Sequence, residues 1–150
     1  MPRLMRQCYA GPLKRSITKE KGSCMTNSQV DPSLNVFGEP LLPCSSDPLT
    51  GVFRDGCCNT SDQDTGSHTI CVQISEDFLR YTQSRGNDLG TPVPEADFPG
   101  LQPGDKWCVC APRWLEAYEN KMAPRVFLAR THQRALEIVS LEVLRQYEAA

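Results

Sequence analysis

Six of the eight cysteines lie between residues 44 and 110: Cys44, the adjacent pair Cys57-Cys58, Cys71, and Cys108-Val109-Cys110. Polar residues are interleaved with them: Arg54-Asp55 ahead of the pair, His68 ahead of Cys71, and Asp105-Lys106-Trp107 ahead of the last two. A thiolate beside a cation and a base is a nucleophile or redox group. In that chemistry Cys57 or Cys58 is the reactive thiol, Arg54 lowers its pKa and His68 is the base. Ser84-Arg85-Gly86-Asn87-Asp88-Leu89 places three more polar groups around a turn. There Arg85 clamps an anion and Asp88 acts as acid or base. The plainer reading of this segment is helix termination followed by an Asx turn. The candidate catalytic residues are therefore Cys57, Cys58, His68 and Asp88. Arg54, Asp55, Arg85, Asn87 and Trp107 are the candidate substrate-binding residues.

Two other fates of the sulfurs compete. Tetrahedral zinc takes four Cys or His ligands, usually as pairs separated by two to four residues. No Cys-x-x-Cys occurs here, and His68 and Cys71, three apart, face opposite sides of any regular strand. No metal is favoured; were zinc bound, its ligands would come from Cys57, Cys58, Cys71, Cys108 and Cys110. Disulfides fit the spacing no better. Cys108 and Cys110 face one way on a strand, about 6.5–7 Å apart at Cα, near the upper limit for a bridge. A vicinal Cys57–Cys58 bond is strained, so one of the two points inward and the other elsewhere. The bland alternative is that most of the six are small buried hydrophobes.

These residues must be positioned by a modest set of elements. From Leu34 to Asp64 the chain is rich in turn residues, with Leu41, Leu42, Leu49, Val52 and Phe53 as apolar anchors. A strand follows over 69–74, with Ile70, Val72 and Ile74 on one face and Thr69, Cys71 and Gln73 on the other. Ser75 caps a helix over 76–84, ended by Gly86. A loop containing Pro92, Pro94, Pro99 and Pro103 leads to a second strand, 106–110. Pro112 opens a helix to about Met122. A third strand is expected over 126–129, then a short helix over 132–136 capped by Thr131, extended chain at Ile138-Val139, and a final helix over 141–147 capped by Ser140. The fold class is α+β: a small single domain with a loop-rich N-terminal half, a short mixed or antiparallel sheet and three to four helices.

At 150 residues one domain is expected, and 39% hydrophobic with 23% charged residues suits an ordinary globular chain. No apolar run approaches the ~20 residues of a membrane span. Residues 1–25 carry six Lys/Arg against one acid, the remainder ten against seventeen. An acidic body argues against nucleic acid as a partner; an unknown small molecule stays open. The basic stretch lacks an apolar secretory core. We expect residues 1–30 to be an unstructured or transit-like extension, with Cys8 and Cys24 unpartnered, and residues 31–150 to form the domain. The expected location is cytoplasmic, or organellar if residues 1–25 are a transit segment. In a reducing compartment thiols are more often buried residues, ligands or redox groups than bridges.

From Leu34 to Tyr147 the chain resembles the small, mainly bacterial family known as domain of unknown function 2237. The resemblance rests on Leu34–Pro40, Pro43–Gly51, Phe53–Thr60, Gly66–Cys71, Ser84–Leu89, Pro99–Leu101 and Pro103–Cys110, in that order and spacing. Phe37, where aliphatic residues are expected, is a minor departure. The resemblance brings no activity, but implies that these motif residues share one recurring arrangement. Three functions follow: a small enzyme with a thiol-containing polar pocket, a metal-stabilised binding module, or a metal-free interaction protein with structural cysteines.

Overall fold

A computed structural model describes Cys24 and residues 33–149. Apart from Cys24, the basic extension lies outside the described residues, Cys8 included. Three strands form one antiparallel sheet: β1 (His68–Gln73), β2 (Lys106–Cys110) and β3 (Arg125–Val126), in the order β2-β1-β3. Among the described residues three α-helices accompany it: α1 (Glu76–Ser84), α2 (Ala111–Glu119) and α3 (Leu141–Arg145). The fold is α+β, as expected. Among the described residues no helix is long and apolar enough to cross a membrane.

Residue types explain the elements locally. The Ser75 side chain accepts from the Phe78 amide, and Glu76 and Asp77 occupy the first turn of α1, where the helix dipole favours acids. Pro112 sits in the first turn of α2, where a missing N–H costs nothing. Pairing Val72 with Trp107 and Ile70 with Val109 puts four large apolar residues on one side of the sheet. There they join Phe78, Trp114, Val126 and Leu144 in the main core. The Trp114 indole N–H is satisfied by the Pro124 carbonyl at 3.1 Å, so its burial leaves no polar atom stranded. The opposite side, at the paired residues Cys71 and Cys108, carries sulfur instead.

The third strand is shorter than its sequence predicts. Phe127 still donates to the Cys71 carbonyl, but the chain then turns into a 3₁₀ segment, Leu128–Arg130. The Thr131 hydroxyl takes over: it accepts from the Cys71 amide at 3.2 Å and donates to the Phe127 carbonyl at 2.9 Å. A buried side chain thus replaces a ladder bond and ends the strand. Thr131 does not cap the next helical segment. That segment is 3₁₀ (Gln133–Glu137), and its cap is the ring of His132, which accepts from the Arg134 amide. Ile138-Val139 forms no strand; Val139 bonds back to Ala135.

Cys24 belongs to the fold, against the expectation that it is a tail residue. It is fully buried, exchanges backbone hydrogen bonds with Ser33 and Leu41, and is disulfide-bonded to Cys57.

Thr131→Val is isosteric but strands the buried Cys71 amide. We expect it to cost about 1–3 kcal/mol in urea unfolding; an unchanged midpoint would show that β3 does not end on this hydroxyl.

Candidate functional site

Cys71 and Cys108 face each other across β1 and β2, so both side chains leave the same side of the sheet. The loop over residues 44–58 folds against them. Its own bonds shape it: Cys44 and Ser45 donate to the Gly56 carbonyl, and Gly56 donates to Thr50. The buried Thr50 hydroxyl accepts from the Cys108 amide at 2.9 Å and so locks the loop to β2. Gly51 has φ +95° and lies tight against the Cys57 carbonyl, a place no side chain fits. Cys44 thereby reaches Cys71, and Cys58 reaches Cys108; both pairs are disulfides. Cys110 is disulfide-bonded as well.

This corrects the expectation that bridges are the less favoured fate of the sulfurs. Cys57 and Cys58 do point to different places, toward Cys24 and Cys108, and neither carries a thiol in this state. A sulfur bonded to sulfur is no nucleophile, so the reactive-thiol role is closed while these bonds stand. The sulfurs of Cys44, Cys58 and Cys108 lie within 4.8 Å of one another. That cluster omits Cys57, Cys71 and Cys110 from the ligand set read off the sequence and includes Cys44, which the set lacked.

His68 also departs from strand parity. A bulge between His68 and Ile70 shifts the register and places His68 opposite Cys110. The residue that allows this is Gly66: a Cβ there would sit 2.7 Å from the His68 ring and 3.3 Å from the Cys110 sulfur. His68 Nδ1 meets the Asp64 carboxylate at 2.6 Å, and Asp64 also accepts from the His68 amide and the Thr60 hydroxyl. Burial alone would raise Asp64, but these hydrogen bonds and the imidazole outweigh it and hold the carboxyl below its usual range. The pair resembles an acid–base dyad, yet His68 Nε2 is sealed from solvent and has no partner among the described residues. It cannot reach a substrate in this conformation.

The structure does not gather the remaining predicted residues around His68. Asp55 accepts from the Cys57 amide and the Asn59 side chain. Asp88 closes a turn on Gly90 and Thr91, which lowers its pKa. Buried Asn87 donates to Thr82 Oγ1, and Arg85 pairs with Glu116 at 3.2 Å. These bonds match the helix-termination reading of that segment.

Arg54 and Trp107 do meet, and Arg54 also lines a groove of about 960 Å³ between the loops around residues 46–54 and 92–105. Arg54 sits at φ +51°, an uncommon conformation for a large side chain. It donates to the carbonyls of Gly51, Ala96 and Asp97 and lies over the Trp107 ring, which packs edge-on against Phe98. Burial lowers its pKa, with Asp97 opposing. Arg54 therefore rivets two loops together. The groove wall includes Pro48, Leu49, Pro92, Pro94, Phe98 and Pro99 with three carboxylates, Asp47, Asp97 and Asp105. Sequence reasoning missed those acids as a group, because each reads singly as a turn residue.

The profile of a family described as "Uncharacterized protein conserved in bacteria (DUF2237)" matches residues 34–148. The chain belongs to this family. No curated protein matches it. The family match spans the 44–58 loop, all three strands and the groove, so the sulfur cluster and the groove both lie within the family domain.

His132 offers a test of the site's electrostatics. Burial, then repulsion from Arg134, lower its pKa to about 4, with Asp64 opposing. An unfolded imidazole titrates near 6.5, so between pH 6.5 and 4 the unfolded chain binds a proton that the native one refuses. Stability is full above about pH 6.5 and falls by about 3 kcal/mol by pH 4. Asp64 adds its own loss only below about 3.8. His132→Asn keeps an acceptor for the Arg134 amide and should flatten the loss between pH 6.5 and 4. A slope unchanged in the variant would contradict this assignment.

Proposed function

We propose that this domain is a binding module with structural cystines, and that its groove takes an extended peptide carrying Lys or Arg beside apolar residues. One observation carries the reading. Three carboxylates and a proline-rich apolar wall line the groove, and the Arg54 guanidinium is held by three carbonyl oxygens with Asp97 also acting on it. Asp47, Asp97 and Asp105 supply attraction for a cation, while Leu49, exposed at 44%, and the prolines accept apolar neighbours. Proline walls and the Arg54 rivet hold the groove in shape before a ligand arrives, which reduces the ordering cost of binding. An open groove of about 960 Å³ also suits an extended segment better than a small enclosed substrate.

The same observations weigh against the enzyme reading. The candidate nucleophiles are consumed in disulfides and the candidate base is sealed. The disulfides also favour an oxidising setting over the cytoplasm expected from the sequence.

The test is titration of the full chain with a short peptide alternating Lys and apolar residues, followed by tryptophan fluorescence. Trp107 is buried in contact with Phe98 and Arg54, which line the groove, and should report binding. We expect saturable binding that weakens with added salt, and a loss of about tenfold in the double variant Asp97→Asn, Asp105→Asn. Asn tolerates the left-handed backbone at position 97, and the main-chain bond to Arg54 is kept. Binding indifferent to both salt and the variant, or equal binding of a Glu-for-Lys peptide, would overturn the proposal.

A further inference from the structure

We propose that the sulfurs of Cys44, Cys58, Cys71 and Cys108 form a four-thiolate zinc site when their two disulfides are reduced. The inference is independent of the groove. Three of the sulfurs already lie within 4.8 Å of one another. In a tetrahedral site with Zn–S near 2.3 Å, ligand sulfurs stand about 3.8 Å apart. The fourth, Cys71, is bonded to Cys44 and faces Cys108 across the ladder, so it shares their side of the sheet. Breaking each bond lets its two sulfurs separate, which moves the set toward tetrahedral spacing.

The surroundings suit a doubly negative zinc–thiolate group. All four cysteines are at most 2% exposed and pack with Phe127. Two cations lie over that ring, Lys106 at 5.8 Å and Arg130 at 5.2 Å from its centroid, with Arg130 also reaching the Cys44 carbonyl at 3.4 Å. Burial raises a thiol pKa, while neighbouring cations and a bound metal lower it and stabilise thiolates. The ligands come from one loop and two neighbouring strands, and their chain separations exceed any paired zinc motif. A search for Cys-x-x-Cys therefore misses them. One zinc ion would tie the 44–58 loop to the sheet as two disulfides do, so the cluster staples the fold in either redox state.

The balance is simple. A phosphine reductant supplies two electrons to each disulfide and becomes phosphine oxide, with water providing the oxygen and the two thiol protons. Zinc then displaces the four thiol protons. The experiment reduces the full chain with a phosphine, adds zinc, removes the excess by gel filtration, and measures bound metal per chain. Cobalt substitution reads the ligand set through its thiolate charge-transfer and ligand-field bands. We expect one equivalent of zinc and a tetrathiolate cobalt spectrum. Cys44→Ser and Cys71→Ser should each weaken zinc at least tenfold. The double variant Cys24→Ser, Cys57→Ser should retain one equivalent, and near-ultraviolet circular dichroism follows the fold of each variant. Failure of the reduced wild-type chain to hold zinc would overturn the proposal. So would zinc held as tightly by Cys44→Ser and Cys71→Ser as by wild type, or a cobalt spectrum without thiolate bands.

Discussion

Two sulfur bonds leaving one cross-strand position, Cys71 opposite Cys108, hold the loop-rich half of this domain to its sheet. The loop over residues 44–58 has no helix or strand of its own to bury. Its order comes from these bonds and from the Thr50 hydroxyl on the Cys108 amide. The disulfides span 27 and 50 residues of chain. In the chain-entropy picture each restricts the unfolded state by about 3.5–4 kcal/mol, less when two closures share residues. A third bond, Cys24–Cys57, ties a more N-terminal point to the same loop. With the loop fixed, Arg54 can reach across to the carbonyls of residues 96 and 97, and the groove acquires its second wall.

The sheet thus separates two kinds of cohesion. One side carries the apolar layer of Ile70, Val72, Trp107 and Val109 under the helices. The other carries four half-cystines and one phenylalanine. Period-two alternation makes such a division natural, since neighbouring residues of one strand serve opposite layers. The bulge at the start of β1 is the exception. It turns His68 toward Cys110 and seats its ring against Asp64.

Much of this architecture was legible in the sequence. Helix α1, its Ser75 cap and strand β2 fall where the residues place them, because their signals are local. Parity correctly kept Cys108 from Cys110, and the strain of a vicinal bridge kept Cys57 from Cys58. What was hidden depends on contacts distant in sequence. Cys24 sits in a polar, basic stretch whose composition says tail, yet its sulfur reaches Cys57. No periodic signal marks the bulge that overrules parity at His68, and Thr131 ends β3 through a bond to a residue 60 positions away. Asp47, Asp97 and Asp105 each belong to a different turn and become one acidic wall only after folding. The pairing of Cys44 with Cys71 fixes where that folding brings the loop.

Peptide mapping under non-reducing conditions tests that pairing most directly, on protein purified in metal-free oxidising buffer, with fragmentation between Cys57 and Cys58. The structure predicts linked peptides for Cys44–Cys71, Cys58–Cys108 and Cys24–Cys57. Alkylated free thiols at Cys58 and Cys108, or a bond from Cys44 to any residue but Cys71, would contradict it.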